Sequence, residues 1–134
     1  MRPPFNVLIV SNRFEAKRTL LRTIRGLPVN TYTSSSIEQA WEVLNKRFID
    51  LVLCDESLPD GMYPELFAAV HAEQRAMRFV VVLASDEWED YLQAMKVGVA
   101  DALRRSYQPT DLELILIRAS RESQQEELHM AAGV

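Results

Sequence analysis

The chain has 134 residues, 48% hydrophobic and 25% charged, which places it in the range of one soluble globular domain and excludes a disordered tail. Fifteen Lys and Arg against nineteen Asp and Glu leave a net charge of −4, which argues against a body that grips nucleic acid or anionic lipid by charge, though a local basic patch is compatible with it. One Cys and two distant His supply neither a disulfide framework nor a four-ligand zinc site. The opening MRPPFNVLIVSN turns polar by Ser11, too soon for a signal peptide or a membrane span, so a reducing, cytoplasmic setting is expected.

In chain order, the apolar run at 6–10 reads as a strand, and a helix over 14–25 follows. Asn12 with Glu15 makes a capping-box-like start for that helix, and Gly26 closes it. A strand over 29–33 leads to a helix over 37–46, capped by Ser35 or Ser36 ahead of Glu38. Strand 50–54 precedes a helix over 63–75. Strand 79–83 precedes a helix over 87–97 that ends at Gly98, and a strand over 101–103 is followed by Pro109, Thr110 and Asp111, which introduce a last helix from 110 to about 128. Runs such as VLIV and VVVL are apolar without alternation, as in strands covered on both faces of a parallel sheet. Five such alternations predict one doubly wound α/β domain.

The last helix carries two apolar faces. Leu112, Ile115, Leu116 and Ala119 make one, which should pack on the sheet; Leu114 and Ile117 make another, which a monomer would expose and which points to a partner surface. After Ala119 the sequence turns polar while keeping good helix formers. Residues 1–120 are expected to form the domain and 121–134 a helical extension towards a further domain absent from this chain.

In open α/β sheets ligands bind at the carboxyl ends of the strands, where strand order reverses. That rule selects Ser11 and Asn12, residues 55–61, 84–87 and 104–107. Asp55, emerging from the apolar run LVLC, is the one carboxylate there placed as a nucleophile.

At these residues the sequence resembles the receiver domain of bacterial two-component response regulators, over residues 5–120. LVLCDESLPDGM (51–62) resembles the family's third strand, phosphoacceptor aspartate and following loop, and MKVGVADALRR (95–105) its fourth-helix exit and fifth strand. The resemblance implies a flavodoxin-like three-layer sandwich with strand order 2-1-3-4-5 and Asp55 as phosphoacceptor, taking a phosphoryl group from a sensor histidine kinase or a small phosphodonor. It also implies magnesium held by an acidic pair after the first strand, by the phosphoacceptor, and by a backbone carbonyl two residues later. The matching positions are Ser11, Asn12, Asp55 and Ser57.

Several supporting positions depart from that pattern. Ser11 and Asn12 bring no negative charge, so magnesium affinity should fall sharply. The family's phosphoryl-binding hydroxyl aligns with Ala84, beside Ser85; its lysine aligns with Arg105, the proline after it with Ser106, and its switch aromatic with Ala102. Three roles for Asp55 remain open: a working acceptor helped by the charge of Arg105, Arg13 and Arg104; a carboxylate locked in a standing pair with Arg105, as in a phosphorylation-independent pseudo-receiver serving as a dimerisation or adaptor module; or a loop cap.

Cys54 reads as a buried apolar residue, His71 as ordinary surface, and the acids 86, 87, 89 and 90 as favourable charge at a helix start. Asp86 or Glu56 leaning over Asp55 is the sharper alternative, and Trp88 is a candidate contact residue. The resemblance implies a signalling module, not an enzyme. Output is expected through the fourth helix, fifth strand and fifth helix, with Leu114, Ile117 and Ala102 on that face, a homodimer formed there, and no membrane or direct nucleic-acid contact. A flavin-binding protein shares the fold, but SNRFEAKRT lacks the glycines of a phosphate-cradling loop.

Overall fold

A computed structural model of the chain describes residues 5–73 and 76–132, with side chains described as far as residue 122. Five strands, β1 (Asn6–Val10), β2 (Asn30–Ser34), β3 (Leu51–Asp55), β4 (Arg78–Val82) and β5 (Asp101–Leu103), make one parallel sheet in the order 2-1-3-4-5. Between them run the helices α1 (Phe14–Ile24), α2 (Ile37–Lys46), α3 (Tyr63–Ala72) and α4 (Trp88–Val97), and α5 (Pro109–Ala132) closes the chain. This is the flavodoxin-like arrangement expected from the sequence. The predicted third helix ends at Ala72, and residues 74 and 75 lie outside the described part.

The strands alternate their side chains between two cores, which is why their apolar runs show no period of two. Leu8, Val10, Val52, Cys54, Phe79 and Val81 face α2, α3 and α4; Val7, Ile9, Leu51, Leu53, Val80 and Leu103 face α1 and α5. Leu112, Ile115, Leu116 and Ala119 are buried on the sheet, while Leu114 and Ile117 are 57% and 41% exposed. Arg78 of β4 hydrogen-bonds the Glu122 carboxylate and ties α5 down one turn further. Among the described residues no helix is long and apolar enough to cross a membrane.

The helix ends follow local chemistry, with one correction. Gly98 takes a left-handed φ of 106° and ends α4, and Ser36 accepts the Gln39 N–H at the start of α2. At α1 the expected capping box of Asn12 and Glu15 does not form. The N-cap residue is Arg13, with no side-chain cap, and the helix ends at Arg25, before Gly26. Ser11 is buried in the turn and accepts the Arg13 N–H (3.2 Å), so the turn is organised from the strand side.

The loop after β3 folds back as a two-residue ribbon, Ser57–Leu58 against Gly61–Met62. Gly61 suits the turn there, since its φ of 156° is one that L side chains rarely adopt. Asp60 accepts hydrogen bonds from the first two N–H groups of α2, at Ile37 (2.9 Å) and Glu38 (3.0 Å). With Ser36 this satisfies three donors that a helix start leaves open, and it pins the loop to α2. These bonds hold the Asp60 carboxyl below its ordinary value. A carboxylate depressed in this way stabilises the fold fully above about pH 4, and the contribution is lost as the pH falls through the folded-state value. Asp60→Ala should therefore lower the urea midpoint at neutral pH, with the gap to the parent chain closing in acid. Parallel curves from pH 7 into acid would contradict the cap.

Candidate functional site

The parallel register of β1 with β3 puts Val10 opposite Cys54, so the next residues, Ser11 and Asp55, emerge side by side at the carboxyl end of the sheet. Ser11 is fully buried and Asp55 is 2% exposed. The Ser11 hydroxyl donates to Asp55 Oδ2 at 2.6 Å. Arg13 reaches the same carboxylate with two parallel bonds, Nε to Oδ2 and Nη2 to Oδ1, both 3.2 Å. Both oxygens of Asp55 are thus engaged, by a fork geometry that suits guanidinium and carboxylate and by a short charge-assisted hydroxyl bond. The bond to Asp55 raises the pKa of Arg13 above its ordinary value.

The cation on Asp55 is therefore Arg13 and not Arg105, which corrects the expected pair. Arg105 is exposed, and no hydrogen bond or ion pair joins it to Asp55 among the described residues; its backbone N–H donates to Ser85 O (3.0 Å). Its position after a three-residue strand directs the side chain outward, whereas Arg13 stands two residues beyond Ser11, at the helix start facing the carboxylate. Arg104 turns away too, stacking over the Trp88 ring at 4.5 Å.

The other expected positions are distributed around this pair. Asn12 is exposed beside Ser11, and Ala84 is exposed after β4. Ser57 is exposed, its hydroxyl bonded to Met62 Sδ (3.2 Å). Ser85 accepts the Glu87 N–H (3.2 Å) and donates to Asp90 (2.5 Å), so its hydroxyl serves the start of α4. Asp86 does not lean over Asp55. It accepts from the Ser106 N–H (2.8 Å) and the Ser106 hydroxyl (2.6 Å), which hold its carboxyl below the usual range. A proline at 106 has no N–H and could not make this bridge. Glu56 lies near enough to Arg13 to favour its charged form. Cys54 is buried, its thiol pushed up by that burial.

Ala102 is buried on the α4 side of β5. A groove of about 350 Å³ runs here between α4, β5 and α5, lined by Tyr91, Ala102, Tyr107, Leu114 and Arg118 among others. Tyr107, half-buried in the turn after β5, is a functional candidate that sequence reasoning passed over as a site residue. Burial pushes its phenol up, the charge of Asp55 adds to that, and Arg13 opposes it, so the ring joins the carboxylate site electrostatically to the groove. Asp55→Asn should lower the Tyr107 pKa and Arg13→Ala should raise it, read by tyrosinate absorbance against pH with Tyr107→Phe as the subtraction. Identical titrations in all three chains would show the ring to be unconnected to the pair.

Compared with known proteins, the sequence matches the family described as response regulator receiver domain over residues 7–117. It is 27% identical over 105 residues to the response regulator protein PilR of Pseudomonas aeruginosa, covering 78% of this chain and 23% of that protein. It is also 27% identical over 106 residues to the transcriptional regulatory protein MalR of Bacillus subtilis, covering 77% and 45%. The chain thus spans less than half the length of these relatives. Among solved structures, it is similar in fold to the signal receiver domain of an HD domain-containing protein from Pseudomonas fluorescens (TM-score 0.85, 20% identity, covering 95% of this chain and 94% of that one). The chemotaxis response regulator CheY4 of Vibrio cholerae is similar as well (TM-score 0.77, 18% identity, covering 87% and 98%).

Proposed function

Since the chain belongs to the response regulator receiver family, we propose that it is the regulatory module of a two-component signalling protein in which Asp55 is held by Arg13 and signals pass by protein contact, without phosphoryl transfer. The observation that carries this reading is the engagement of both Asp55 oxygens by Arg13 and Ser11. A carboxylate attacks phosphorus with an oxygen lone pair, and here the Arg13 fork and the Ser11 hydroxyl hold both oxygens in hydrogen bonds. The donor set does not suit magnesium. It offers one carboxylate, paired with Arg13, beside the neutral Ser11 and Asn12 and the Ser57 carbonyl, whereas a small hard cation prefers several charged oxygens in octahedral array. Ala84 has no hydroxyl for a phosphoryl oxygen.

The signal then leaves through α4, β5 and α5, where Leu114 and Ile117 stand exposed beside the groove. A homodimer forms on that face, and α5, helical to Ala132, leads to an output domain in the longer protein. The module works in the cytoplasm beside a sensor kinase and turns over no substrate.

Phosphoryl transfer at Asp55 remains a second reading, because the Arg13 side chain is 55% exposed and can swing aside to meet the incoming phosphoryl charge. Intact-mass spectrometry after incubation with acetyl phosphate and magnesium decides between them. The native chain is expected to stay unmodified, and the triple variant Ser11→Asp, Asn12→Asp, Arg13→Ala to gain a magnesium-dependent adduct. An adduct on the native chain that Asp55→Asn abolishes would establish the second reading. For the output face, Leu114→Glu should turn a dimer into a monomer by light scattering, and a native chain that is monomeric at high concentration rules the dimer out.

A further inference from the structure

The groove of about 350 Å³ between α4, β5 and α5 has an apolar floor, in which Ala102 and Ile115 are only 7% and 8% exposed, and Tyr91 and Tyr107 line it with Leu114 at the rim. Three aspartates and two arginines complete the lining, and the hydrogen bonds treat the two signs differently. Asp86 is taken up by the N–H and hydroxyl of Ser106, and Asp111 accepts the Gln108 N–H (2.8 Å). Asp101 gives one oxygen to the Ala102 N–H (2.8 Å) and the other to Arg118 Nη1 (3.1 Å). Donors are left over. Arg104 is stacked on Trp88, but Arg118 spends only Nη1, so its Nε and Nη2 have no partner among the described residues, and the side chain is 64% exposed. The hydroxyl of the half-buried Tyr107 has no partner among them either.

We propose that this groove binds a small aromatic carboxylate, with its ring on the floor of Ala102 and Ile115 and its carboxylate on the free edge of Arg118. Nε and Nη2 make one edge of a guanidinium, the same two nitrogens with which Arg13 holds both oxygens of Asp55, and that edge matches the two oxygens of a carboxylate. A cationic ligand would instead meet three carboxylates that the chain already bonds. A flat ring pairs with the tyrosine rings in ways that an aliphatic chain does not, and the Tyr107 hydroxyl can add a donor. The volume lies near the lower end of small-molecule pockets, which start at about 300 Å³, so it suits a ligand of one or two rings. Leu114 belongs both to this rim and to the exposed apolar pair with Ile117, so an occupied groove changes the surface on which the chain would associate. The site does not depend on whether Asp55 is locked or phosphorylated.

The test is an NMR titration of the isotope-labelled full chain with 2-naphthoate, with 2-naphthylmethylammonium and cyclohexanecarboxylate as comparison ligands. Saturable shifts are expected at the amides of Tyr91, Ala102, Tyr107, Leu114 and Arg118, and neither comparison ligand should match them. Arg118→Gln should weaken binding about tenfold, and Ala102→Phe, which fills the floor, should abolish it. Arg105→Gln removes a cation from outside the groove and should leave binding unchanged. No saturable shift, shifts centred elsewhere, equal binding of the ammonium or of the aliphatic acid, or the same loss from Arg105→Gln as from Arg118→Gln overturns the site. Should Ala102→Phe fail to fold, Arg118→Gln, a change at an exposed position, decides alone: undiminished binding by that variant overturns the proposal.

Discussion

A carboxylate with 2% of its surface in water cannot stay charged without partners, and most of what is distinctive in this molecule follows from how Asp55 obtains them. Burying an unpaired carboxylate costs several kcal/mol or forces protonation. Here the carboxylate finds Ser11 at 2.6 Å and the fork of Arg13 at 3.2 Å. Both come from the turn between β1 and α1, so the pair also fixes how α1 leaves the sheet. The positive charge beside Asp55 is thus supplied by the chain's own Arg13.

The changes around Asp55 form a consistent set. With the neutral Ser11 and Asn12 in the turn after β1, Asp55 is the carboxylate that Arg13 bonds, and the charge of Glu56 nearby adds to the attraction. With Ser at 106, the N–H and hydroxyl lock Asp86 to the turn after β5, and Arg104 stacks on Trp88, so the loops after β4 and β5 are tied to each other. Ala102 fills too little space to span the gap between α4 and α5, and the groove stays open. Tyr107 lines the groove and lies within reach of the charges of Asp55 and Arg13.

Much of the fold was legible because it rests on local periodicity. The unbroken apolar runs of β1, β3 and β4 announced strands covered on both faces, and Gly98, Ser36 and Pro109 marked helix ends by backbone geometry that only certain residues favour. The start of α1 at Phe14 was legible, but its capping box was misjudged for a physical reason. Asn12 and Glu15 have the residue types of a capping box, but the Ser11 hydroxyl is drawn to Asp55 and accepts the Arg13 N–H, so a contact 44 residues away in sequence overrides the local preference.

By itself the sequence determined the element order, the parallel sheet, the family and the position of Asp55, because each rests on residue type and spacing along one segment. Which arginine holds Asp55 was decided only in three dimensions. Arg13, Arg104 and Arg105 are chemically alike, and all belong to turns at the same edge of the sheet. The choice among them depends on the direction each backbone gives its side chain: the turn after β1 aims Arg13 at the carboxylate, while the exit from β5 sends Arg104 over Trp88 and leaves Arg105 exposed. Those directions follow from strand register and helix packing, which couple residues far apart in the chain and leave no trace in local spacing.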